Sequence, residues 1–195
     1  MTQTQVISDV QILTGSLGQF PDPVGKPTLI VVSGLPGTGK SYFCNKLAER
    51  LSFIILESDA LRKTLFPSPT YSLPESSRLF QAIHRLVQDL LKKGMPVILD
   101  ATNLSERHRE HLYHIVDQLE AKLILVRVAA PPDVVYQRLK ARSAGTNGDS
   151  HSDADWAVFQ KMQAAAQKIR RNHYAVDTSR DITPVIDKIV REVNK

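Results

Sequence analysis

The sequence predicts an α/β fold, a five-stranded parallel sheet with helices on both faces. Three observations predict it. Short continuous apolar runs recur along the chain, as expected of parallel strands buried on both sides. Segments with helical apolar spacing separate them, which is the alternation that builds strand–helix–strand units. The first apolar run also leads through a glycine-rich turn directly into a helix. At 195 residues the chain suits one domain with a core of its own.

The composition is ordinary for a globular protein, 42% hydrophobic and 23% charged. No apolar run approaches the length of a membrane span, so no membrane partner is expected. Residues 1 to 25 hold neither Lys nor Arg and no long apolar centre, which argues against a secretory signal and for a cytoplasmic protein. The single cysteine, Cys44, offers no disulfide framework and reads as a small packing residue. A net charge of +5 suits an anionic partner, nucleotide or nucleic acid, without separating the two.

Taken in order, residues 1–26 read as a partly ordered N-terminal extension with a short apolar patch from Val6 to Leu13, and 27–195 as the domain proper. Thr28 to Val32 is the first strand. Gly34-Leu35-Pro36-Gly37-Thr38-Gly39-Lys40-Ser41 follows, with a helix from Tyr42 to Leu51. Gly34, Gly39, Lys40 and Ser41 match the P-loop pattern, and the flanking strand and helix supply its context. Glycines bring backbone N–H groups against phosphate oxygens, and the helix N-terminus adds partial positive charge there. Lys40 then reaches the β- and γ-phosphates and the Ser41 hydroxyl ligates Mg²⁺. Gly34, Gly37, Thr38, Gly39, Lys40, Ser41 and Tyr42 are the expected nucleotide contacts. A glycine-rich turn without a ligand is the alternative.

Phe53 to Leu56 is the second strand, ending in Glu57-Ser58-Asp59. Ligands of open α/β sheets bind outside the carboxyl ends of the strands, so Asp59 is placed near a transferring phosphate and an acceptor. It could equally cap a helix over Ala60 to Leu65. Arg62 lies one helical turn on. Three prolines between Phe66 and Pro74 preclude regular structure and suggest a loop over the active face. A scaffold helix runs from about Glu75 to Lys93, closed by Gly94.

Pro96 to Leu99 is the third strand, and Asp100 at its end reads as a Walker B group for Mg²⁺, or as a turn or capping residue. Thr102 and Asn103 share that rim, and Ser105 can cap a helix from Glu106 to Leu119. His108, His111 and His114 are spaced by three, a spacing that drifts around a helix and favours solvated or packing roles over zinc. Lys122 to Ala130 is the fourth strand. The helix opened by Pro131-Pro132 carries Arg138 and Arg142 on one face, before a Gly-, Ser- and Asn-rich loop over 143–152 and a helix over Asp155 to Arg171. Two arginines, a loop and a helix have the shape of a lid over about 138–155, laid on a phosphoryl group in transfer. A solvated arginine face is the other reading. Tyr174 to Thr178 is the fifth strand, the loop to Asp181 could touch a base, and a final helix spans Ile182 to Val193.

Those residues resemble the P-loop kinases that include phage polynucleotide 5′-kinase, zeta toxins and chloramphenicol phosphotransferase. Gly34 to Ser41 is the shared loop. Glu57-Ser58-Asp59-Ala60-Leu61-Arg62 resembles the strand-end Asp with Arg three residues on, Asp100-Ala101-Thr102-Asn103-Leu104 the third-strand motif, and Arg138 with Arg142 the lid arginines. The chain is also similar to small predicted ATP-binding kinases with an AAA-type P-loop ATPase domain, in which a stretch like Ser152-Asp153-Ala154 follows the lid.

The resemblance covers about residues 28 to 195 and implies the strand order 2-3-1-4-5. It implies ATP- and Mg²⁺-dependent transfer of the γ-phosphoryl group to a hydroxyl acceptor, a small molecule before a 5′-hydroxyl polynucleotide. Lys40, Asp59, Arg138 and Arg142 would be catalytic, Arg62 and Asn103 would bind the acceptor, and Ser41 and Asp100 would serve the metal. A reading of another class is a nucleotide-binding regulatory or toxin-like protein. Acceptor identity and oligomeric state are not legible in the sequence.

Overall fold

The computed structural model describes residues 3–144 and 154–195. Its elements run α1 (Gln3–Ser16), β1 (Thr28–Ser33), α2 (Lys40–Ala48), β2 (Ile54–Glu57), α3 (Ser58–Leu65), α4 (Leu73–Lys92) and β3 (Val97–Asp100). They continue with α5 (Glu106–Gln118), β4 (Lys122–Ala129), α6 (Pro132–Ser143), α7 (Trp156–Ala165), β5 (Tyr174–Asp177) and α8 (Thr183–Val193). The strands form one parallel sheet in the order β2-β3-β1-β4-β5, as expected.

Alternation along β1 divides the core into two layers, because successive side chains of a strand point to opposite faces. Leu29 and Val31 join Leu99 and Leu125 under α4 and α5, whereas Ile30 and Val32 join Ile98 and Val126 under α2 and α8. A small third cluster of Val135, Leu139 and Phe159 ties α6 to α7 and meets Leu35 of the glycine-rich loop. α6 and α7 therefore rest together against the glycine-rich loop. The stretch 145–153, which includes Ser152 and Asp153, lies outside the described residues.

The N-terminal extension carries a helix that its composition does not announce. α1 packs on α3 and α4 and places Leu13, fully buried, in the core. Removing such a leucine side chain costs about 2–5 kcal/mol, so α1 is part of what holds this face together. Asp9 of α1 is also fully buried, and the Arg78 guanidinium of α4 forks onto it at 2.7 and 2.8 Å.

Two other elements depart from expectation. α3 begins at Ser58 with Glu57 at the N-cap position, so Asp59 stands inside the first turn and does not cap. α7 ends at Ala165, six residues before Arg171, because the next residues are drawn into another network. The Gln167 amide donates to the Leu104 carbonyl at 3.0 Å, and the Gln167 and Lys168 carbonyls accept from Arg109 at 3.0 and 2.9 Å.

The helical histidines pack with one another. His84 of α4 stacks on His111 with ring centroids 4.9 Å apart and meets His108 edge-on at 6.2 Å, in a groove also lined by Arg85, Arg107 and His114. Among the described residues no group of three or more His, Cys, Asp or Glu is arranged to hold a metal ion. Burial first, then His111 and His108, push the His84 pKa down to about 3, while burial and Arg107 lower that of His108.

A histidine with a depressed folded pKa stays neutral in the fold after the unfolded chain has begun to take up its proton. The full stability is therefore present above about pH 6.5 and is lost as pH falls toward 3, by up to about 1.4 kcal/mol per pH unit for His84. Urea melts of the wild type between pH 7 and 4 should show that decline, and His84→Gln should flatten much of it. An unchanged slope in the variant would remove His84 as its origin.

Candidate functional site

β1 delivers the chain into the glycine-rich loop at the centre of the sheet's carboxyl edge. Gly34 is obligatory there, since a Cβ would stand 2.4 Å from the Val128 carbonyl oxygen. Gly39, at φ +87°, turns the chain left-handed into α2, with Thr178 so close that a Cβ would lie 3.0 Å from its hydroxyl. Within the loop Thr38 Oγ1 donates to the Leu35 carbonyl at 2.7 Å, and the Lys40 ammonium donates to the same carbonyl at 3.2 Å. Tyr42, one residue past Ser41, is 55% exposed at the rim.

Parallel pairing sets the neighbouring strand ends level with this loop. Asp100 pairs with Val32 on one side and with Glu57 on the other. The Asp100 carboxyl is buried, and burial raises its pKa against the pull of Lys40 and of the Ser41 hydroxyl, which donates to it; the Asp59 charge adds to the rise. Asp100 Oδ2 is buried without a hydrogen-bond partner among the described residues. A hard oxygen aimed beside a serine hydroxyl at a phosphate-binding loop is the donor set that Mg²⁺ takes, with water filling its other positions. These residues fit that ion. Asp59 is half-buried in the first turn of α3, and no described residue hydrogen-bonds its carboxylate.

On the other side of the loop, Arg138 and Arg142 of α6 line a cleft of about 730 Å³ with Gly37, Tyr42, Thr178 and Arg180. Arg138 is held: its guanidinium donates to Thr178 Oγ1 at 2.8 Å and to the Thr178 carbonyl at 2.9 Å, with the Gly37 carbonyl at 3.5 Å. Thr178 in turn donates to the Thr38 carbonyl at 2.6 Å. Arg142 Nη1 is buried with no hydrogen-bond partner among the described residues. The two arginines expected to act together are thus unlike, one serving the loop's architecture and one uncommitted. Cys44, behind the loop, is a buried free thiol whose pKa is raised by burial and by Asp100.

Two expected acceptor ligands point elsewhere. Arg62 is 6% exposed, ion-paired to the buried Glu75, with Ser76 Oγ at 3.3 Å and the Tyr71 ring 4.7 Å from its guanidinium carbon. Breaking a buried pair of this kind costs about 3–5 kcal/mol, so Arg62 is a strut of the fold. Asn103 is 2% exposed, and its side chain donates inward to the Val32 carbonyl at 2.8 Å. It holds the loop after β3 to β1 in a left-handed turn, φ +45°.

Arg109 is the main residue that sequence reasoning missed. It is 1% exposed and donates to the Asn103, Gln167 and Lys168 carbonyls while pairing with Glu106. A signal was present: Arg109, Leu112, Tyr113 and Val116 recur at the spacing of one helical face, the buried one. The same clamp joins the loop after Asp100 to the segment that follows α7.

A glycine-rich turn from a central strand into a helix, with aspartates level with it at two neighbouring strand ends, defines a P-loop nucleotide-binding fold. The chain belongs to the AAA domain family, whose model matches residues 29–169. Among curated proteins it is 27% identical over 163 residues to the uncharacterized protein Rv2004c of Mycobacterium tuberculosis, and to its Mycobacterium bovis counterpart Mb2027c. That match covers 73% of this chain but only 32% of each relative. Among solved structures, the Mycobacterium tuberculosis APS kinase CysC in complex with AMPPNP and APS aligns with a TM-score of 0.63 at 19% identity, over 89% of this chain and all of that one (100%). The Sinorhizobium meliloti gluconokinase gives 0.61 at 20%, over 85% and 90%, and Chaetomium thermophilum Kti12 with ADP-AlF3 gives 0.63 at 18%, over 83% and 96%. The fold is that of the P-loop NTPases.

Arg109→Met should leave the buried Asn103 carbonyl, and the Gln167 and Lys168 carbonyls, without their donor and Glu106 without its partner. Chemical denaturation should show a loss of about 3–5 kcal/mol. Hydrogen exchange should rise over 166–173 and 101–106 ahead of the central strands. A loss below about 1 kcal/mol would mean that the clamp carries no weight.

Proposed function

We propose that the chain is an ATP- and Mg²⁺-dependent kinase that transfers the γ-phosphoryl group to a hydroxyl of a small-molecule acceptor. The observation that carries this reading is a pair of strand-end aspartates in different states. Asp100 is buried, touched by Ser41 and left with one oxygen unpartnered, while Asp59, close enough to raise its pKa, is half-open. A nucleotide switch needs the first. The second is what transfer to another molecule requires, a carboxylate that can orient a hydroxyl and take its proton.

The glycine-rich loop amides and Lys40 hold the β- and γ-phosphates, and Ser41 and Asp100 hold the metal. Bound Mg²⁺ supplies charge neutralisation between those phosphates. Asp59 accepts the proton of the acceptor hydroxyl as its oxygen bonds to phosphorus and the bond to the β-phosphate oxygen breaks. Arg142, with an unpartnered buried N–H, is the better placed of the lid arginines to meet charge on the group in flight, and Arg138 keeps the loop and Thr178 in register. The kinase names of the structural neighbours agree with this reading.

Purified full-length protein should consume ATP with Mg²⁺ when offered one of a panel of nucleosides, sugars and other alcohols, with label from the γ-position recovered on the acceptor. Asp59→Asn should lower transfer by about 10²–10⁴-fold while nucleotide affinity, read from the fluorescence of Trp156 in the lid cluster, stays within about twofold. Unchanged turnover would end the assignment of Asp59.

Asp100→Asn should behave in the opposite way. Without nucleotide its melting temperature should equal or exceed that of the wild type, because a buried charge is gone, whereas the Mg²⁺-dependent part of nucleotide affinity should fall at least about tenfold. A clear loss of stability without nucleotide would contradict the description of Asp100 as a group held at a cost.

A further inference from the structure

The proline-rich loop between α3 and α4 is organised by one buried carboxylate. Glu75, in the first turn of α4, accepts from the Thr70 amide at 2.7 Å, from Thr70 Oγ1 at 2.8 Å, from the Tyr71 amide at 3.2 Å and from the Arg62 guanidinium. Burial opposes its charge, yet the donors from Thr70, Arg62 and Tyr71 bring its pKa down to about 2. The start of the loop is fastened as well. Phe66 lies against Arg78, 5.2 Å from ring centroid to guanidinium carbon, and Arg78 is itself forked onto Asp9.

This scaffolding holds one residue in an unfavourable state. Tyr71 has φ +54°, a region that bulky residues seldom occupy, and its side chain is nevertheless 44% exposed. Strain kept at an exposed aromatic by buried hydrogen bonds marks a position whose display is useful. The ring lies over Arg62, and Arg62 stands three residues after Asp59 on α3, so their Cβ atoms are about 5–6 Å apart. The ring is thus displayed over the guanidinium of the residue one helical turn on from Asp59.

We propose that Tyr71 is the specificity residue for the acceptor, and that the acceptor is an uncharged, ring-bearing alcohol whose ring stacks on the Tyr71 side chain while its hydroxyl reaches Asp59. This rests on the kinase reading above. The charge of Arg62 is already met by the buried Glu75, so this arginine offers an anionic acceptor little net field. A cation against the tyrosine ring also draws density from its π face, which disfavours a second cation and leaves a surface suited to neutral rings.

The test is ligand-observed saturation-transfer NMR on the full chain with AMPPNP and Mg²⁺. The probes are thymidine, phenyl glucoside and benzyl alcohol, each set against its phosphate- or carboxylate-bearing counterpart, followed by turnover with ATP. At least one neutral ring compound should bind, about tenfold tighter than its anionic counterpart. Tyr71→Ala should weaken that binding about tenfold, Tyr71→Phe should restore it to within about twofold, and KM for ATP should move less than about twofold in either variant.

Failure of every neutral compound to bind, tighter binding of the anionic members, or indifference to Tyr71→Ala would overturn the inference. Tyr71-dependent binding with no transfer from ATP would leave the inference standing and sink the kinase reading. Efficient transfer to an anionic acceptor would do the reverse.

Discussion

The buried carboxylate of Asp100 is the constraint on which the site depends. A carboxylate taken out of water is costly unless something answers its charge, and here the answer is partial: one hydroxyl, the field of Lys40, and an oxygen left without a donor. Only a stiff surrounding keeps it so. Asp100 lies on an inner strand, paired on both sides, and the loop that follows is bound back onto β1 by the Ser33 hydroxyl, by Asn103 and by the Gly34 amide. Those bonds fix the distance between the phosphate-binding loop and the strand end, so the groups that would share a metal and a phosphate stand together before either binds.

What the sequence made legible is what local spacing encodes. Apolar runs of strand length, helical periodicity between them and the glycine spacing of the loop act over a few residues, and the sheet and the placement of Asp100 and Asp59 follow from them, while the strand order comes only with the family resemblance. What stayed hidden depends on partners far along the chain. Arg62 read as an acceptor ligand because nothing local shows that Glu75, across a proline-rich loop, neutralises it. Asn103 sits at the expected rim, but a left-handed backbone turns its amide inward. α7 has helical composition up to Arg171, yet Arg109 draws the Gln167 and Lys168 carbonyls out of any helix. The helix of residues 3–16 forms because a face of α3 and α4 is there to receive Leu13, which no propensity scale registers.

The same long-range bonds explain why residues outside the matched family region bear on the site. Asp9 holds Arg78, Arg78 supports Phe66, and Phe66 begins the loop that ends at Tyr71 and Glu75. The N-terminal helix thus braces the loop between α3 and α4 through the Asp9–Arg78 ion pair, and neither α1 nor that loop touches the glycine-rich turn through any of these bonds. Under the proposed kinase reading, the nucleotide side would be fixed by backbone geometry and the acceptor side by side chains that can change without disturbing the sheet.

The distribution of cations follows the same division. Arg62, Arg78 and Arg109 each face a carboxylate, Glu75, Asp9 and Glu106 respectively, so each contributes packing and hydrogen bonds but little net field. Around the glycine-rich loop the arrangement is different. Lys40 donates to a carbonyl, Arg138 to a hydroxyl and a carbonyl, and Arg142 keeps one N–H unpartnered. Lys40 also faces Asp100, whereas the hydrogen-bond partners of Arg138 are neutral, so part of the positive charge remains where a phosphate chain would lie. A polyphosphate entering this edge of the sheet would exchange weak neutral hydrogen bonds for charge-assisted ones, and the α6 arginines would gain most when the charge they meet is largest. Under the proposed kinase reading, that difference between resting and reacting partners is what would favour transfer over mere binding.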